Sequence, residues 1–401
     1  MDREPSTAAI LIGAAVRGIV VGVVLAVVFA AGFLVRDFVG APMVRAQGGD
    51  FPILFEAYDL IARHYVRPLP DSKTLDYGAV RGMVGALNDP HTFFIDPPVA
   101  QNESDALAGH YGGIGAELKR DSVGDYVLYP FPDGPAAEAG VMDADKLLAV
   151  DDTDIVPAMP QDDVERLLRG EVGQRVTITV QHRDGSVASF EVELALIEVP
   201  SVVWSTLVEE PSFGYVKILR FTSRTPAELR EALDDLSGTY DVSALVLDVR
   251  HNTGGLLQEA VDVVSEFVDG GVVLYEQRRG TDREPKYAAS GGLAVDLPVV
   301  VLVDGASASA AELVAGALRD RERAILIGQQ TYGKGSVQLI FKLADGSSLH
   351  VTSSEWFTPG GTALDGVGLT PDIAMIPSAD FDAELGEAIR YLREHVAVRT
   401  P

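Results

Sequence analysis

Beyond Pro200 the chain alternates short apolar runs with stretches of helical spacing, and this alternation constrains the fold more than any other feature. Residues 214–218, 244–249 and 299–303 read as buried strands, and residues 225–236, 256–268 and 309–318 as helices. Thr225 is the expected cap of the first helix, with Pro226 at its first position. Strands separated by helices imply parallel pairing, with the crossovers covering the sheet. The expected class is α/β within an α+β multidomain chain, its core a mostly parallel, helix-covered sheet. Sites in such sheets lie beyond the carboxyl ends of the strands. Two small-residue turns fall there, 248–255 and 305–309.

The first 200 residues are organised differently. Residues 51–66 place Leu54, Tyr58, Ile61 and Tyr65 on one helical face, and residues 77–87 form a second helix stopped by Asn88, Asp89 and Pro90. Residues 51–107 are therefore expected to form a helical cap, preceded by a linker over 36–50. Residues 108–197 change to short strands and glycine turns. Strands are expected over 111–118 and 146–150, helices over 134–140 and 161–168. A hairpin joins 175–182 to 186–194 through Arg183-Asp184-Gly185.

The 401 residues leave room for two or three domains, and 47% apolar with 23% charged residues is ordinary for folded cores. The net charge of −27, with no long basic run, argues against a nucleic-acid partner. No cysteine is present, which removes disulfides, thiolate metal sites and a cysteine nucleophile. Asp143, Asp145, Asp151, Asp152 and Asp154 lack the spacing and closing glutamate of a calcium loop, and no His-Glu-x-x-His occurs. Neither a metal nor another cofactor is expected.

Residues 18–35 carry no charge and are apolar on every side. A helix spanning a bilayer needs roughly 20 apolar residues, so this run with its flanks is long enough for a transmembrane anchor. Arg17 on its amino side would hold that end inside and leave the remainder extracytoplasmic. The alternative is a leader cleaved after Val44-Arg45-Ala46, which would release a secreted or periplasmic protein.

The chemistry concentrates in two turns. Ser309, in Asp304-Gly-Ala-Ser-Ala-Ser309-Ala-Ala-Glu312, follows an apolar strand and opens a helix, whose free N–H groups and dipole suit an oxyanion. Lys334, in Thr331-Tyr-Gly-Lys334-Gly-Ser-Val-Gln338, is bracketed by glycines; in an apolar pocket such a lysine loses its proton near neutral pH and acts as a base. Gln338 would orient the amine. Gly254 and Gly255 let backbone N–H groups approach a ligand oxygen, while Asp248 and Arg250 brace that loop. Together these groups read as a Ser/Lys hydrolase.

These motifs, in this order from about Phe51 to Pro377, resemble the C-terminal processing (tail-specific) peptidases, Ser/Lys serine proteases with a PDZ domain. The nucleophile motif maps to residues 305–312, the Gly-Lys-Gly turn to 333–335 and the Asp-x-Arg-x-Asn-x-Gly-Gly loop to 248–255. The closing Gly-x-x-Pro-Asp maps to Gly368–Asp372. Ala311, His251 and Thr253 depart from the usual serine, asparagine and proline, and Ala144 stands where the PDZ family has glycine. The resemblance implies a crotonase-like protease core over 198–380, an inserted PDZ domain over 108–197 and a C-terminal helix or tail over 381–401. Its implied catalytic groups are Ser309, Lys334 and Gln338, with an oxyanion hole from Ala310 and one of Gly254 or Gly255. The loop Gly112-Gly113-Ile114-Gly115 would hold the substrate's terminal carboxylate. The implied partners are proteins or peptides with free C-terminal tails, with an adaptor or a second copy left open.

Three other readings compete. A Ser-His-Asp hydrolase would use His251, but no Gly-x-Ser-x-Gly elbow exists. Residues 328–334 satisfy the phosphate-loop spacing, but Gly335 replaces the magnesium-binding hydroxyl and a hairpin is expected where a helix is required. The remaining alternative is a membrane-tethered PDZ binding module on a silent protease-like core.

Overall fold

The computed structural model of the chain describes residues 51–378 and 380–396. The apolar run 18–35, the linker 36–50 and the last five residues of the expected tail lie outside the described residues. Among the described residues no helix is long and apolar enough to cross a membrane.

A six-stranded sheet positions the candidate site. Its order is Val202–Thr206, Phe213–Ile218, Ala244–Asp248, Val299–Val303, Ala324–Gly328 and Ile373–Ala374. The first pair is antiparallel and the others are parallel. The strands alternate between two cores, as a period of two requires. Leu245, Leu247, Val299, Val301 and Val303 face the helices Thr225–Gly238, Leu257–Ser265 and Ala310–Asp320. Ala244, Val246, Val300 and Leu302 face the C-terminal helix Ala383–Val396 through Ala388, Ile389 and Leu392.

Among the described residues parallel strand pairing occurs in this sheet alone, so the expected mostly parallel, helix-covered sheet is one of four and the sheets taken together are not mainly parallel. Three further sheets are antiparallel. One joins Phe93–Ile95, Val272–Arg278, Glu284–Tyr287, Ser336–Lys342 and Ser348–Phe357. The reason lies in the connections: parallel neighbours need a long crossover, whereas a tight turn returns the chain antiparallel. Ser336–Lys342 and Ser348–Phe357 are joined by such a turn, closed by Leu343 N–H donating to Ser347 O at 2.8 Å. A strand thus stands where a phosphate loop would need its helix.

Residues 110–198 form the other two sheets around a core containing Ile114, Leu128, Leu147, Val164, Ile178 and Leu194. The expected strand 111–118 is two strands, His110–Gly113 and Ala116–Arg120, which pair with different partners. Gly115 breaks them with φ 68°, and a Cβ there would meet Pro135 Cδ at 2.8 Å. The hairpin of Arg175–Gln181 and Val187–Glu193 pairs Gln181 with Val187 across the expected turn.

In the cap segment the first helix is Pro52–His64, and it leaves Leu54, Tyr58, Ile61 and Tyr65 exposed. The second is Ser72–Gly85, starting five residues before the expected Tyr77. Asp71 supplies the start signal: its carboxylate accepts Thr74 N–H and the Thr74 hydroxyl, each at 2.9 Å.

Ala144 adopts φ 62°, the left-handed region that costs an L-residue roughly 1–2 kcal/mol and glycine almost nothing. Ala144→Gly is expected to stabilise the protein by about 0.5–1 kcal/mol after the extra unfolded-state entropy of glycine is deducted. Urea unfolding monitored by circular dichroism would read this; a lower midpoint would show that the turn carries no strain.

Candidate active site

The strand Val299–Val303 ends at Asp304, whose Oδ1 accepts the N–H groups of His251 (3.0 Å), Ala306 (3.0 Å) and Ser307 (2.9 Å). That carboxylate folds the turn. Ser307 is fully buried and donates its hydroxyl to Val249 O at 2.8 Å, so it is spent on structure. Ser309 is different. It precedes the helix Ala310–Asp320 with φ 55° and ψ −115°, a strained conformation, and it lines a cavity of about 190 Å³. The Ala310 N–H, first in the helix, has no acceptor among the described residues.

Glu312 holds this turn against the lysine loop. It is completely buried, and its Oε2 accepts Ser309 N–H and Lys334 N–H, both at 2.9 Å. Its Oε1 accepts Gly333 N–H at 2.8 Å and the Thr331 hydroxyl. Tyr332 N–H adds a bond to Ser307 O at 3.0 Å. The other side of the loop packs on residues 364–368, where a Cβ at Gly335 would come within 2.6 Å of Asp365 N, and one at Gly368 within 2.4 Å of Thr331 O. The closing Gly368–Asp372 motif therefore seats the lysine turn.

Lys334 points its amine into the same cavity and donates to Gln338 Oε1 at 2.6 Å. Gln338 in turn donates its amide N–H to His91 O, which turns the amide oxygen toward the lysine. Burial pushes the Lys334 pKa below the usual lysine value, and the negative charge of Glu103 opposes that shift. No hydrogen bond joins Lys334 Nζ to the Ser309 hydroxyl among the described residues.

The glycine loop closes the cavity from the neighbouring strand. Asn252 is fully buried; its Nδ2 donates to Ile218 O and its Oδ1 accepts Gly254 N–H, both at 2.8 Å. A Cβ on Gly254 would lie 2.8 Å from Ser309 Cβ, so only glycine fits there. The Gly254 N–H is thus committed to Asn252, while the Gly255 N–H has no acceptor among the described residues. Asp248 is buried and accepts Tyr215 OH and Arg250 Nη2, each at 2.7 Å. Burial works against the Arg250 charge, but the hydrogen bonds it donates to Asp382 and Asp248 outweigh it and raise its pKa. His251 is 77% exposed, pairs with Asp304 at 2.8 Å and lines a different cavity from Ser309.

Of the loop expected to take a substrate carboxylate, Ile114 and Gly115 line a groove of about 380 Å³ with Tyr111, Leu118, Leu168 and Arg169. Gly112 and Gly113 belong instead to the ladder with Ala195–Glu198, and Ile114 N–H is donated to Leu168 O at 3.3 Å.

Comparison with known proteins shows the family. The sequence signature of Peptidase family S41 matches residues 212–375, that of a PDZ domain 126–182, and that of the activating protease CtpB N-terminal domain 43–98. The carboxy-terminal-processing protease of Bartonella bacilliformis is 34% identical over 85% of this chain and 79% of its own length. The carboxy-terminal processing protease CtpB of Bacillus subtilis is 32% identical over 80% of this chain and 66% of its own. Among solved structures, a photosystem II D1 C-terminal processing protease is 30% identical, covers 86% of this chain and 92% of its own, and superposes with a TM-score of 0.49. The chain belongs to peptidase family S41, the carboxy-terminal processing serine proteases, and carries a PDZ domain.

The role of Glu312 emerges only in the structure. The signal was present: Ser309-x-x-Glu312 has the spacing of a capping box, in which the third helical residue reaches back to the cap N–H. Glu312→Ala would leave three N–H groups and a hydroxyl buried without acceptors. Each costs roughly 1–3 kcal/mol, so a loss of at least about 4 kcal/mol in urea unfolding is expected. Peptidase activity of the protein that still folds should fall at least ~100-fold, and wild-type activity in that variant would show the clamp to be dispensable.

Proposed function

We propose that this chain is a membrane-anchored serine endopeptidase that captures substrate C-terminal tails through its PDZ domain and cleaves them with Ser309 and Lys334. In this reading residues 51–107 are the cap, 108–197 the PDZ domain, 198–380 the catalytic core and 381–401 the C-terminal helix and tail. The observation that carries it is the shared cavity: Ser309, a Lys334 whose proton affinity is lowered by burial, and the unpaired Gly255 N–H all face one space.

The chemistry follows from those positions. Neutral Lys334 takes the hydroxyl proton of Ser309 as Oγ bonds to the scissile carbonyl carbon. The oxyanion is met by the N–H groups of Ala310 and Gly255, since Gly254 is already committed; losing one such donor typically costs ~10²–10³ in turnover. Collapse breaks the C–N bond, and the leaving amine takes the proton from Lys334. Water, activated by the same lysine, then attacks the ester and frees Ser309. Gln338 accepts one amine N–H throughout and keeps the lone pair directed inward. Leu107, Leu256, Leu257, Val337, Ile340 and Trp356 wall the cavity, which suits an apolar side chain beside the cleaved bond. The tail itself would lie in the Tyr111–Leu118 groove.

Anchoring rests on residues 18–35, uncharged and nearly of bilayer length. The full-length protein is expected in the membrane fraction, resistant to alkaline extraction, whereas a soluble product starting near Gln47 would establish a cleaved leader instead.

A protein ending in a disordered, apolar tail, incubated with the full chain and followed by mass spectrometry, should be cleaved near that tail. Ser309→Ala and Lys334→Ala should each lose about 10³-fold or more. Because the base must be neutral, activity should fall as pH drops through the Lys334 pKa, with the slope of one proton. Tail binding without cleavage by the unmodified chain would favour a tethered binding module.

A further inference from the structure

The cavity that holds Ser309 and Lys334 also takes in an acid and an imidazole for which the peptidase mechanism gives no role. Glu103, on the helix Pro97–Ala108, and His350, on the strand Ser348–Phe357, both line it. The His350 ring is 2% exposed and stacks on Phe93, with centroids 4.5 Å apart. Its Nε2 lies 2.9 Å from Glu103 Oε2, out of line for a hydrogen bond, and has no hydrogen-bond partner among the described residues. Glu103 therefore lies beside the imidazole without a hydrogen bond to it. Its side chain is 28% exposed, so water screens it only in part.

The titratable and charged groups that line the cavity with Glu103 come from three other elements. Lys334 stands on the turn before Ser336–Lys342, His350 on the neighbouring strand, and Arg220 on the segment after Phe213–Ile218. Arg220 Nε is itself buried without a partner. On its own helix, Asp105 is turned to Gln101, bonded at 2.7 Å. Among these groups Lys334 has the most to lose or gain, because its function depends on being uncharged while an acid sits in the same cavity.

We propose that Glu103 is a positioning residue that holds the proton on Lys334, its carboxylate kept at the cavity wall by His350, so that the resting site is electrostatically braked. The inference rests on the Ser/Lys reading above. A carboxylate lining the same cavity favours the ammonium form, against the burial that favours the free amine. Displacing the Pro97–Ala108 helix, or neutralising its glutamate, would release the base.

The test is the pH profile of kcat/KM for the full-length chain on an apolar-tailed protein substrate, measured for wild type, Glu103→Gln, Glu103→Asp and Lys334→Ala. Removing the charge lowers the proton affinity of Lys334. The acidic limb of Glu103→Gln should therefore move down by about one pH unit, and activity on that limb should rise about tenfold. Its alkaline plateau should be no higher than wild type, since a less basic lysine is a weaker base. Glu103→Asp should keep the limb near its wild-type position. The Lys334 ε-carbon NMR titration in Ser309→Ala, with and without Glu103→Gln, reads the same shift without turnover. An unmoved limb and titration, with Lys334→Ala inactive, would reduce Glu103 to a structural contact and overturn the proposal while leaving the Ser/Lys reading intact. Full activity in Lys334→Ala would overturn both.

Discussion

The candidate site depends on one buried carboxylate. Glu312 accepts four hydrogen bonds from two segments that are distant in sequence, the Ser309 turn and residues 331–334. A carboxylate in the interior is tolerated only when its lone pairs are filled, and here every donor belongs to a segment whose position the chemistry requires. The stabilisation and the alignment are therefore the same interaction. Without it the helix N-terminus would lose its cap and the lysine turn would lose the acceptor for its backbone.

The sheet supplies the second constraint. Adjacent parallel strands end side by side, so Ala244–Asp248 and Val299–Val303 deliver the glycine loop and the serine turn to neighbouring positions. Contact between them is close enough that Gly254 has no room for a side chain. The antiparallel sheet then brings in what the parallel one lacks: Gln338 from Ser336–Lys342 and His350 from Ser348–Phe357, beside Glu103 from the helix Pro97–Ala108. The cavity is thus assembled from a mostly parallel sheet, an antiparallel sheet and the helix Pro97–Ala108.

Much of this was legible in the residues. The buried strands at 299–303 and 244–248 were plain from uninterrupted apolar runs, and the candidate nucleophile and base from turns that interrupt them. That Asp248 and Arg250 serve the loop rather than the chemistry was likewise readable, though not that they pair with each other. Less legible were the strands Val272–Arg278 and Glu284–Tyr287, where half-buried residues give weak periodicity and no helix marks the crossover. Glu103 and His350 carried no signal, since an acid on a short helix and a histidine in a hairpin are ordinary until they share a cavity.

The sequence by itself determined most of the strands and helices of the parallel sheet and which turns carry reactive groups. These are local properties: apolar period, φ preference and the residue types a turn admits. Tertiary structure decided what those groups face. It committed the Gly254 N–H to Asn252 and left that of Gly255 unpaired. It also buried Lys334 beside Gln338 and set Glu103 in the same cavity. Proton affinity and hydrogen-bond availability depend on neighbours in space, and the neighbours of Lys334 come from segments up to 231 residues away in the chain, the separation of Glu103 and Lys334.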